Sequence, residues 1–335
     1  GKQLASLVYP CYRTMQPITI DGKLTEPAWE RAPQAGAFTD AHTGVIVEPQ
    51  TIFRVLYDDA QLYIGVKCIE PLMTKLVANV TVRDGQVWFD DCIELFFDTN
   101  HDHTTYFQLV ANSVGAQFDR TAQNMSWSGD WLVAAMRSDG AWFLEFAIPF
   151  ATLDCPPPKP GDAWGFNICR ERYATGEQEL FNWSPTGGNF HTPQNFGHLL
   201  FAGEADESLL AKLSRRLLKV HGHLQVCLQR GLLRLRANKP PKVVSYAELA
   251  RRDFRSPDAQ LRELEQLVQH PAAAQFKSRV RALKEMLERA SRLATGKQPL
   301  SVEQWTWVKH TSQRVMRELN SLIWDVKLEL LLSED

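Results

Sequence analysis

The chain has 335 residues, of which 44% are apolar and 23% are charged, an ordinary composition for a globular protein. No apolar run reaches the ~18 residues that a membrane helix needs, so the sequence excludes a transmembrane helix. The length exceeds the needs of one hydrophobic core, and we expect two domains. Because the chain starts with Gly1-Lys2-Gln3 and lacks an initial Met, we expect that a leader was removed.

The charges are distributed unevenly along the chain. Residues 204–335 contain 24 Lys and Arg against 16 Asp and Glu, whereas residues 1–203 contain 13 against 23. This asymmetry favours two units of different character. Acidic residues are interspersed among the basic ones, and dense Lys/Arg runs are absent from the sequence. We therefore predict no nucleic-acid partner.

Short alternating runs dominate the sequence from about residue 17 to 202. Ile18-Thr19-Ile20 leads into the turn dipeptide Asp21-Gly22, and residues 51–57 and 62–69 predict a hairpin. Further strands are predicted at 76–82, 92–98, 105–112, 115–120, 131–137, 141–148, 163–173 and 197–202. Gly, Pro, Asp and Asn separate these runs at the spacing of a β-sandwich. We predict an all-β antiparallel sandwich as the first domain, residues 1–203.

Helical periodicity replaces this alternation after Gly203. Leu210, Leu213, Leu217 and Leu224 predict one helix, and a capping-box pattern begins at Ser301. A heptad-like stripe follows, made of Trp305, Val308, Ser312, Val315, Leu319, Leu322 and Val326. We predict that residues 204–335 form an α-helical bundle or hairpin set, and that this region mediates a homodimer.

The six cysteines do not form a Cys-x-x-Cys pair, which argues against a structural zinc site. Cys68, Cys92 and Cys169 lie in strand-like runs, where buried thiols are the simplest interpretation. Cys11 and Cys155 flank loop-like segments and could pair in an oxidising compartment, or stay reduced.

Four segments in sequence order resemble a known family. They are Ile18 to Trp29 (ITIDGKLTEPAW), Val55 to Val66 (VLYDDAQLYIGV), Trp88 to Asp98 (WFDDCIELFFD), and Trp183-Ser184-Pro185 with Phe190 to Leu199. The first three resemble family 9 carbohydrate-binding modules, and the last is similar to the end of related domains in the DOMON-like superfamily. The resemblance covers roughly residues 15–202. The helical region has no counterpart in the module.

The resemblance implies a β-sandwich that holds the end of a glycan chain between two tryptophans and carries structural calcium. Trp88 matches the first stacking ring of the family, and Trp183 is the best match to the second. We therefore expect a carbohydrate ligand, because the C–H face of a sugar stacks on indole while its hydroxyls need fixed polar partners. The exported nature of such modules implies a secreted or periplasmic protein that takes part in polysaccharide utilisation.

Strand alternation suggests which polar side chains accompany the rings. Trp88 and Glu94 share one strand face, opposite Ile93, Leu95 and Phe97. The remaining polar candidates for hydroxyl binding are Gln108, Asn112, Arg120, Arg170 and Asn182. Trp127, in a polar loop, is a third stacking candidate. Each residue also has a structural alternative, such as an ion pair for Glu94 or packing for Trp127.

Calcium candidates come from acidic loops. Asp98, Asn100 and Asp102 place oxygen ligands at alternate positions, although the segment lacks the later Gly and Glu of an EF-hand. Asp58, Asp59, Asp90 and Asp91 are alternatives, and solvated turns would explain all of them equally well.

No motif for catalysis stands out, since the sequence lacks a Gly-x-Ser-x-Gly elbow, a phosphate loop and a His-Glu-x-x-His pair. We predict a non-catalytic protein. One alternative from the same superfamily is a haem b domain for electron transfer. Its axial ligands would come from Met73, Met125, Met136, His101, His103 and His191. Another alternative is a purely structural or assembly module.

Overall fold

The computed structural model describes residues 4–204 and 206–333 of the chain. It divides into two compact units, Gly1–Val244 and Ser245–Asp335. The predicted boundary after residue 203 is therefore wrong by about 40 residues.

Strands make up most of the first unit. In chain order they are β1 (Ser6–Arg13), β2 (Thr39–Asp40), β3 (Thr51–Tyr57), β4 (Gln61–Ile69), β5 (Cys92–Asp98), β6 (Phe107–Asn112), β7 (Gln117–Thr121), β8 (Leu132–Ser138), β9 (Ala141–Pro149), β10 (Ala163–Arg172), β11 (Glu179–Asn182), β12 (Gly197–Gly203), β13 (His223–Cys227), β14 (Gly231–Arg236) and β15 (Lys242–Ser245). Two short helices, α1 (Leu210–Leu213) and α2 (Arg215–His221), stand between β12 and β13.

The strands follow one another in the order β7-β6-β5-β10-β12-β1-β3-β4-β9-β8, and the two halves of this path face each other across one core. Strand alternation explains the arrangement, because Ile93, Leu95 and Phe97 of β5 point into that core. They meet inward residues of the opposite half, such as Ile64 of β4 and Phe146 of β9. The sandwich prediction is confirmed.

Most pairings are antiparallel as predicted, but β1 pairs in parallel with β12, β3 and β13. This strand precedes the first predicted strand. It also explains the domain boundary, because β13 extends the sheet through β1. Leu224 and Val226 of β13 are fully buried in a cluster with Val8 of β1.

The predicted strand at 76–82 is wrong. Backbone N–H groups of this segment donate to side chains instead of a neighbouring strand. Val77 N donates to Asp91 Oδ2 at 2.8 Å, and Val80 N donates to Asp90 Oδ2 at 2.8 Å. The two carboxylates therefore accept hydrogen bonds that a neighbouring strand would otherwise accept. They attach this segment to the start of β5.

The leucines after Gly203 also divide differently from the prediction. Gly222 ends α2 in the left-handed conformation (φ 70°), and the chain then turns into β13. Leu224 therefore belongs to a strand and not to the predicted helix.

The second unit is helical, as predicted. Its helices are α3 (Tyr246–Asp253), α4 (Asp258–Leu267), α5 (Lys277–Thr295) and α6 (Val302–Leu332). Capping boxes at Ser245 and Ser301 begin α3 and α6. All seven residues of the predicted heptad-like stripe of α6 are buried, and Val280, Leu283 and Leu287 of α5 pack in the same core as its later part.

Candidate functional site

A cavity of about 270 Å³ lies on the outer face of the sheet formed by β5, β6, β7, β10 and β11. We call it the outer-face pocket. Its lining residues are Trp88, Glu94, Gln108, Phe118, Arg120, Met125, Glu171, Leu180, Gly188, Asn189, Phe190 and His191. Four of the nine predicted ligand-binding residues are among them: Trp88, Glu94, Gln108 and Arg120.

Strand pairing brings the polar side chains of the pocket together. Gln108 of β6 pairs with Phe96 of β5 on one side and with Arg120 of β7 on the other. Glu94 lies two residues before Phe96 and therefore projects from the same face. This is the face that strand alternation predicted.

Trp88 stands at the rim of the pocket on a 3-10 turn, Val87–Phe89, just before β5. Its indole is half-buried and meets the Phe118 ring edge to face, with centroids 4.7 Å apart. The Tyr173 hydroxyl donates to the Trp88 carbonyl at 3.0 Å. These contacts fix the ring while leaving part of its surface accessible to a ligand.

A glycine-rich loop supplies the opposite wall. Gly187 and Gly188 have φ values of 76° and 108°, a region that other residues rarely adopt. A side chain at Gly188 would also meet the His42 ring, since a Cβ there would lie 3.1 Å from it. The loop continues to His191, whose Nδ1 lies 2.7 Å from the Tyr106 hydroxyl.

Two buried oxygen atoms beside the pocket accept no hydrogen bond from the protein. Gln108 Nε2 donates to Glu94 Oε1, while Glu94 Oε2 and Gln108 Oε1 accept from no group, although a protonated Glu94 can donate to the neighbouring Glu171. Glu94 is only 2% exposed and Gln108 only 3%. Buried polar atoms without partners are unfavourable. A ligand with hydroxyl donors would satisfy both atoms.

Burial and neighbouring charges shift the pKa values of Glu94 and His191, two titratable residues of the pocket. Burial raises the pKa of Glu94 well above its usual value, and the neighbouring Glu171 raises it further. Arg120 is the cation of the pocket, and its guanidinium donates to the carbonyls of Thr121 and Ala122 at 3.0 and 3.1 Å. Burial, followed by the charge of Arg120, lowers the pKa of His191. The pocket thus offers acceptors, donors and an aromatic surface in a small volume.

Trp183 does not belong to this pocket, so the predicted pair of stacking rings is wrong. It is 5% exposed and packs in the sandwich core against Phe53 and Phe166, with ring centroids 5.4 and 5.8 Å away. Gly197 leaves room for the ring, since a Cβ there would lie 2.6 Å from it. The backbone of Trp183 continues the pairing with β10, and this turns the side chain inward.

Arg170 and Asn182 are fully buried structural residues and not pocket residues. Arg170 points to the core side of β10, where it forms an ion pair of 3.1 Å with Glu70. Asn182 accepts from the Thr39 hydroxyl at 3.0 Å and donates to the Thr186 hydroxyl at 2.9 Å. The amide of Asn182 is thus paired at both ends, and the terminal guanidinium nitrogens of Arg170 donate to the Ile69 carbonyl and to Glu70, although its Nε has no partner.

Asn112 and Trp127 are also outside the pocket. Asn112 donates to Asp90 at 3.0 Å and accepts from the Ala116 N–H at 2.9 Å, which shapes the turn between β6 and β7. Trp127 is half-buried against the Phe107 ring, with centroids 5.1 Å apart. The structural interpretation therefore holds for both.

In the loop predicted to bind calcium, the carboxylates accept hydrogen bonds from the backbone of the loop itself. Both oxygens of Asp98 accept backbone N–H groups, from Asp102 at 3.1 Å and from His103 at 2.8 Å. Asp102 in turn accepts from the N–H groups of Thr104 and Thr105 at 2.8 and 2.7 Å. The carboxylates stabilise their own turn.

A second cluster of carboxylates lies elsewhere in the first unit. Among the described residues, Asp21, Glu26 and Glu145 form a group whose ligand atoms all lie within 4.8 Å of one another. Glu26 Oε2 is a buried atom without a hydrogen-bond partner. Burial, followed by the charge of Glu26, raises the pKa of Glu145. Three hard oxygen ligands fit calcium chemically.

The sequence analysis missed several pocket residues, above all Glu171 and Asn189. Glu171 pairs with Cys92, so strand alternation on β10 could have placed it beside Glu94. Asn189 lies in a loop, whose course no periodicity predicts. Met125 and His191, two of the proposed haem ligands, do line the pocket. Its volume is slightly below the ~300–1,000 Å³ of typical ligand sites, which favours a ligand much smaller than haem.

Comparison with known proteins agrees with this architecture. The family model described as "Carbohydrate family 9 binding domain-like" matches residues 20–204. The chain belongs to this family. Residues 20–204 are therefore a carbohydrate-binding domain of family 9, a non-catalytic type of module.

Two curated relatives are xylanases. Endo-1,4-beta-xylanase C of Paenibacillus barcinonensis is 26% identical over 189 residues, which are 54% of this chain and 16% of the relative. Endo-1,4-beta-xylanase A of Thermoanaerobacterium saccharolyticum is 22% identical over 161 residues, which are 47% of this chain and 13% of the relative. The chain thus matches only a small part of each enzyme.

Solved structures that match part of the chain include a family 9 carbohydrate-binding module from Caldicellulosiruptor kristjanssonii in complex with cellotriose. It has a TM-score of 0.45 and 17% identity, and the match covers 60% of this chain and 97% of the module. A putative carbohydrate-binding protein from Bacteroides uniformis has a TM-score of 0.49 and 17% identity. The match covers 59% of this chain and 100% of that protein.

The helices of this family member are too short or too polar to cross a membrane, as far as the described residues show. All six cysteines are free thiols, including Cys11 and Cys155. Cys11 is fully buried, and burial raises its pKa well above the usual value.

Proposed function

We propose that the outer-face pocket binds one sugar residue of a glycan. The observation that carries the proposal is the combination of an accessible indole at Trp88 with two buried oxygens that accept no hydrogen bond from the protein, Glu94 Oε2 and Gln108 Oε1. A pyranose has both an apolar C–H face and hydroxyl donors, so it complements both features at once.

The remaining groups complete the recognition. Arg120 offers N–H donors to ring or hydroxyl oxygens, and Asn189 offers an amide. A single stacking ring and a cavity of about 270 Å³ support binding of one saccharide unit. For such a site we expect dissociation constants in the micromolar to millimolar range, equivalent to about 4–8 kcal/mol.

Titration with glucose, cellotriose and xylotriose tests the proposal. We expect Trp88→Ala to weaken binding of the preferred sugar by at least tenfold, about 1.4 kcal/mol, because the stacking surface is lost. Phe89→Ala is the matched control, since Phe89 is an adjacent aromatic residue, 55% exposed, that does not line the pocket. Calorimetry measures the affinities, and thermal melting confirms that both variants fold.

Equal titration curves for the Trp88→Ala variant and the unmodified protein would contradict the proposal. So would equal losses for Trp88→Ala and Phe89→Ala, because the effect would then be indirect. Trp183→Ala is unsuitable as a binding test, since removal of a buried tryptophan costs about 3–5 kcal/mol of stability.

We infer that the protein is exported and binds polysaccharide outside the cell, which the likeness to parts of two xylanases supports. We also propose that calcium binds at Asp21, Glu26 and Glu145, where it would offset the repulsion of three carboxylates. Self-association through the helical unit stays a prediction.

A further inference from the structure

Four of the nine histidines of the chain lie together in the first unit, away from the outer-face pocket. His101 and His103 follow β5, His198 is on β12, and His221 ends α2. Neighbouring ring centroids are 5.0 Å apart for His101 and His103, 5.0 Å for His101 and His198, and 4.6 Å for His198 and His221. We call these four residues the histidine cluster.

The central pair of the cluster has the spacing of two ligands of one metal ion. His101 Nε2 and His198 Nδ1 are 3.1 Å apart. With metal–nitrogen bonds of about 2.0–2.1 Å, this separation gives an angle of about 100° at the ion, between square-planar and tetrahedral values. An ion could therefore replace the hydrogen bond between the two rings without a large movement of either nitrogen.

The surroundings of His198 prepare it to act as a ligand. Its Nε2 lies 2.9 Å from the Ser6 hydroxyl, so an Nε2–H donated to Ser6 leaves the Nδ1 lone pair directed at His101. Metal-bound histidines commonly donate their other ring N–H in this way.

A cavity gives an ion access to the cluster. It has a volume of about 450 Å³ and is lined by His101, His103 and His221 together with Asp162 and Arg216. His103 is exposed, and Asp98 adds a negative charge near His101. His101 and His103 both have a φ of 58°, and the Asp98 carboxylate accepts the His103 N–H at 2.8 Å. This loop therefore holds both rings beside the cavity.

We infer that the histidine cluster binds a divalent transition-metal ion of the zinc and copper class, with His101 Nε2 and His198 Nδ1 as its first two ligands. Imidazole nitrogen is a preferred ligand of these ions. His103 and His221 flank the pair, but among the described residues no three of the four histidines have ring nitrogens within 4.8 Å of one another, so the third ligand requires a side-chain rotation, which we assign to the exposed His103. On binding, the His101 proton moves from Nε2 to Nδ1, so both ligating nitrogens present lone pairs and the protein loses no net proton.

Zn²⁺ titration of tag-free, metal-stripped protein tests this site by calorimetry, and Co²⁺ absorption spectra report nitrogen coordination. We expect saturable binding of one ion per chain. We expect His101→Asn to weaken Zn²⁺ binding by at least tenfold. We expect His103→Asn to weaken it by about threefold. Asparagine is the chosen replacement because it tolerates the left-handed backbone of both positions. His42→Asn is the matched control, since His42 is exposed and outside the cluster.

Failure of the unmodified protein to bind Zn²⁺ with one-to-one stoichiometry would overturn the inference. An unchanged affinity in a folded His101→Asn variant, or an equal loss in His42→Asn, would do the same. Should His101→Asn fail to fold, His103→Asn decides the matter through its exposed side chain. The glycan titrations use variants of other residues, so the two proposals are tested independently.

Discussion

Glu94 is a buried carboxyl group with one unsatisfied oxygen and a second carboxyl group, Glu171, beside it. Such an arrangement disfavours the charged form, and the pKa of Glu94 lies well above its unfolded value of 4.5. A raised folded-state pKa means that the folded protein binds more protons than the unfolded chain. The stability that Glu94 contributes is therefore complete below about pH 4.5 and is lost as pH rises through the folded-state pKa.

We predict that Glu94→Gln raises the melting temperature relative to the unmodified protein, and that this difference grows from pH 4.5 to pH 8.5. Glutamine keeps the shape of the side chain but never carries a charge. Thermal melts followed by circular dichroism across this range measure the effect.

Glu70→Gln provides a control of opposite sign. Burial alone would raise the pKa of Glu70, but the bonds from Arg172 and the Leu72 N–H lower it below its usual value. The contribution of Glu70 is thus present above pH 4.5 and lost on acidification. Its variant should be less stable than the unmodified protein at neutral pH and approach it in acid. A pH-independent difference for Glu94→Gln would contradict the assignment.

The sequence was informative about pocket residues that lie on regular strands. Glu94 and Gln108 follow from alternation, because their neighbours on either side pack in the core, and Arg120 follows because it pairs with Gln108 on the next strand. Trp183 follows the end of β11, where alternation gives no guidance, and its burial depends on the absence of a side chain at Gly197. Arg170 has the correct strand but the opposite face, because a buried ion pair with Glu70 made a charged residue acceptable there.

At the scale of elements, side-chain carboxylates accept several backbone hydrogen bonds that a neighbouring strand would accept in a regular sheet. Glu145 of β9 accepts from the Asp21 and Gly22 N–H groups at 2.9 and 3.2 Å and from Trp29 Nε1 at 3.1 Å. It therefore joins the first turn to the sheet. Local propensity predicted strands at 18–20 and 76–82, but it could not show that side-chain carboxylates, Glu26 for Thr19 and Asp90 and Asp91 for the second segment, would accept their backbone hydrogen bonds.

This joint is where we predict that calcium stabilises the fold. Addition of Ca²⁺ to metal-stripped protein should raise the melting temperature, because an ion bound only by the folded state stabilises it. Glu26→Gln should abolish the shift, since Glu26 Oε2 faces the cluster without a partner. Differential scanning fluorimetry measures the shift in Ca²⁺ against a chelator.

Asp102→Asn separates the two candidate calcium sites. This residue belongs to the loop that the sequence predicted, and it is exposed. We expect its Ca²⁺ shift to equal that of the unmodified protein. If Asp102→Asn loses the shift while Glu26→Gln retains it, calcium binds at the loop instead. If the unmodified protein shows no shift, calcium does not stabilise the fold.

At the scale of the whole molecule, each unit has its own hydrophobic core. The first contains the sandwich core and a second cluster that joins β1 to β13, and the second is built from α4, α5 and α6. Length and charge distribution predicted two units, and the chain divides into two. The boundary could not be predicted, because the pairing of β13 with β1 joins residues more than 200 positions apart.

We predict that a fragment of residues 1–244 folds and keeps the glycan affinity of the full chain, while a fragment of residues 1–203 is markedly less stable. The shorter fragment lacks β13, so Val8 loses its contacts with Leu224 and Val226 and the β1 edge that pairs with β13 is left open. Removal of several buried leucine and valine side chains costs a few kcal/mol each. Urea denaturation of both fragments measures the difference in unfolding free energy.

The same fragments test the prediction of a homodimer. Light scattering should find dimers of the full chain and of residues 245–335, and monomers of residues 1–244. The long helix α6 supports this expectation, because it exposes Trp324, Leu328 and Leu331 on its last three turns at helical spacing. A monomeric full chain would rule out self-association. Equal stability of the 1–203 and 1–244 fragments would show that β13 is dispensable.

If either fragment of the first unit binds glycan while the helical fragment does not, the recognition site belongs to the sandwich alone, as we expect from the position of Trp88 and Glu94.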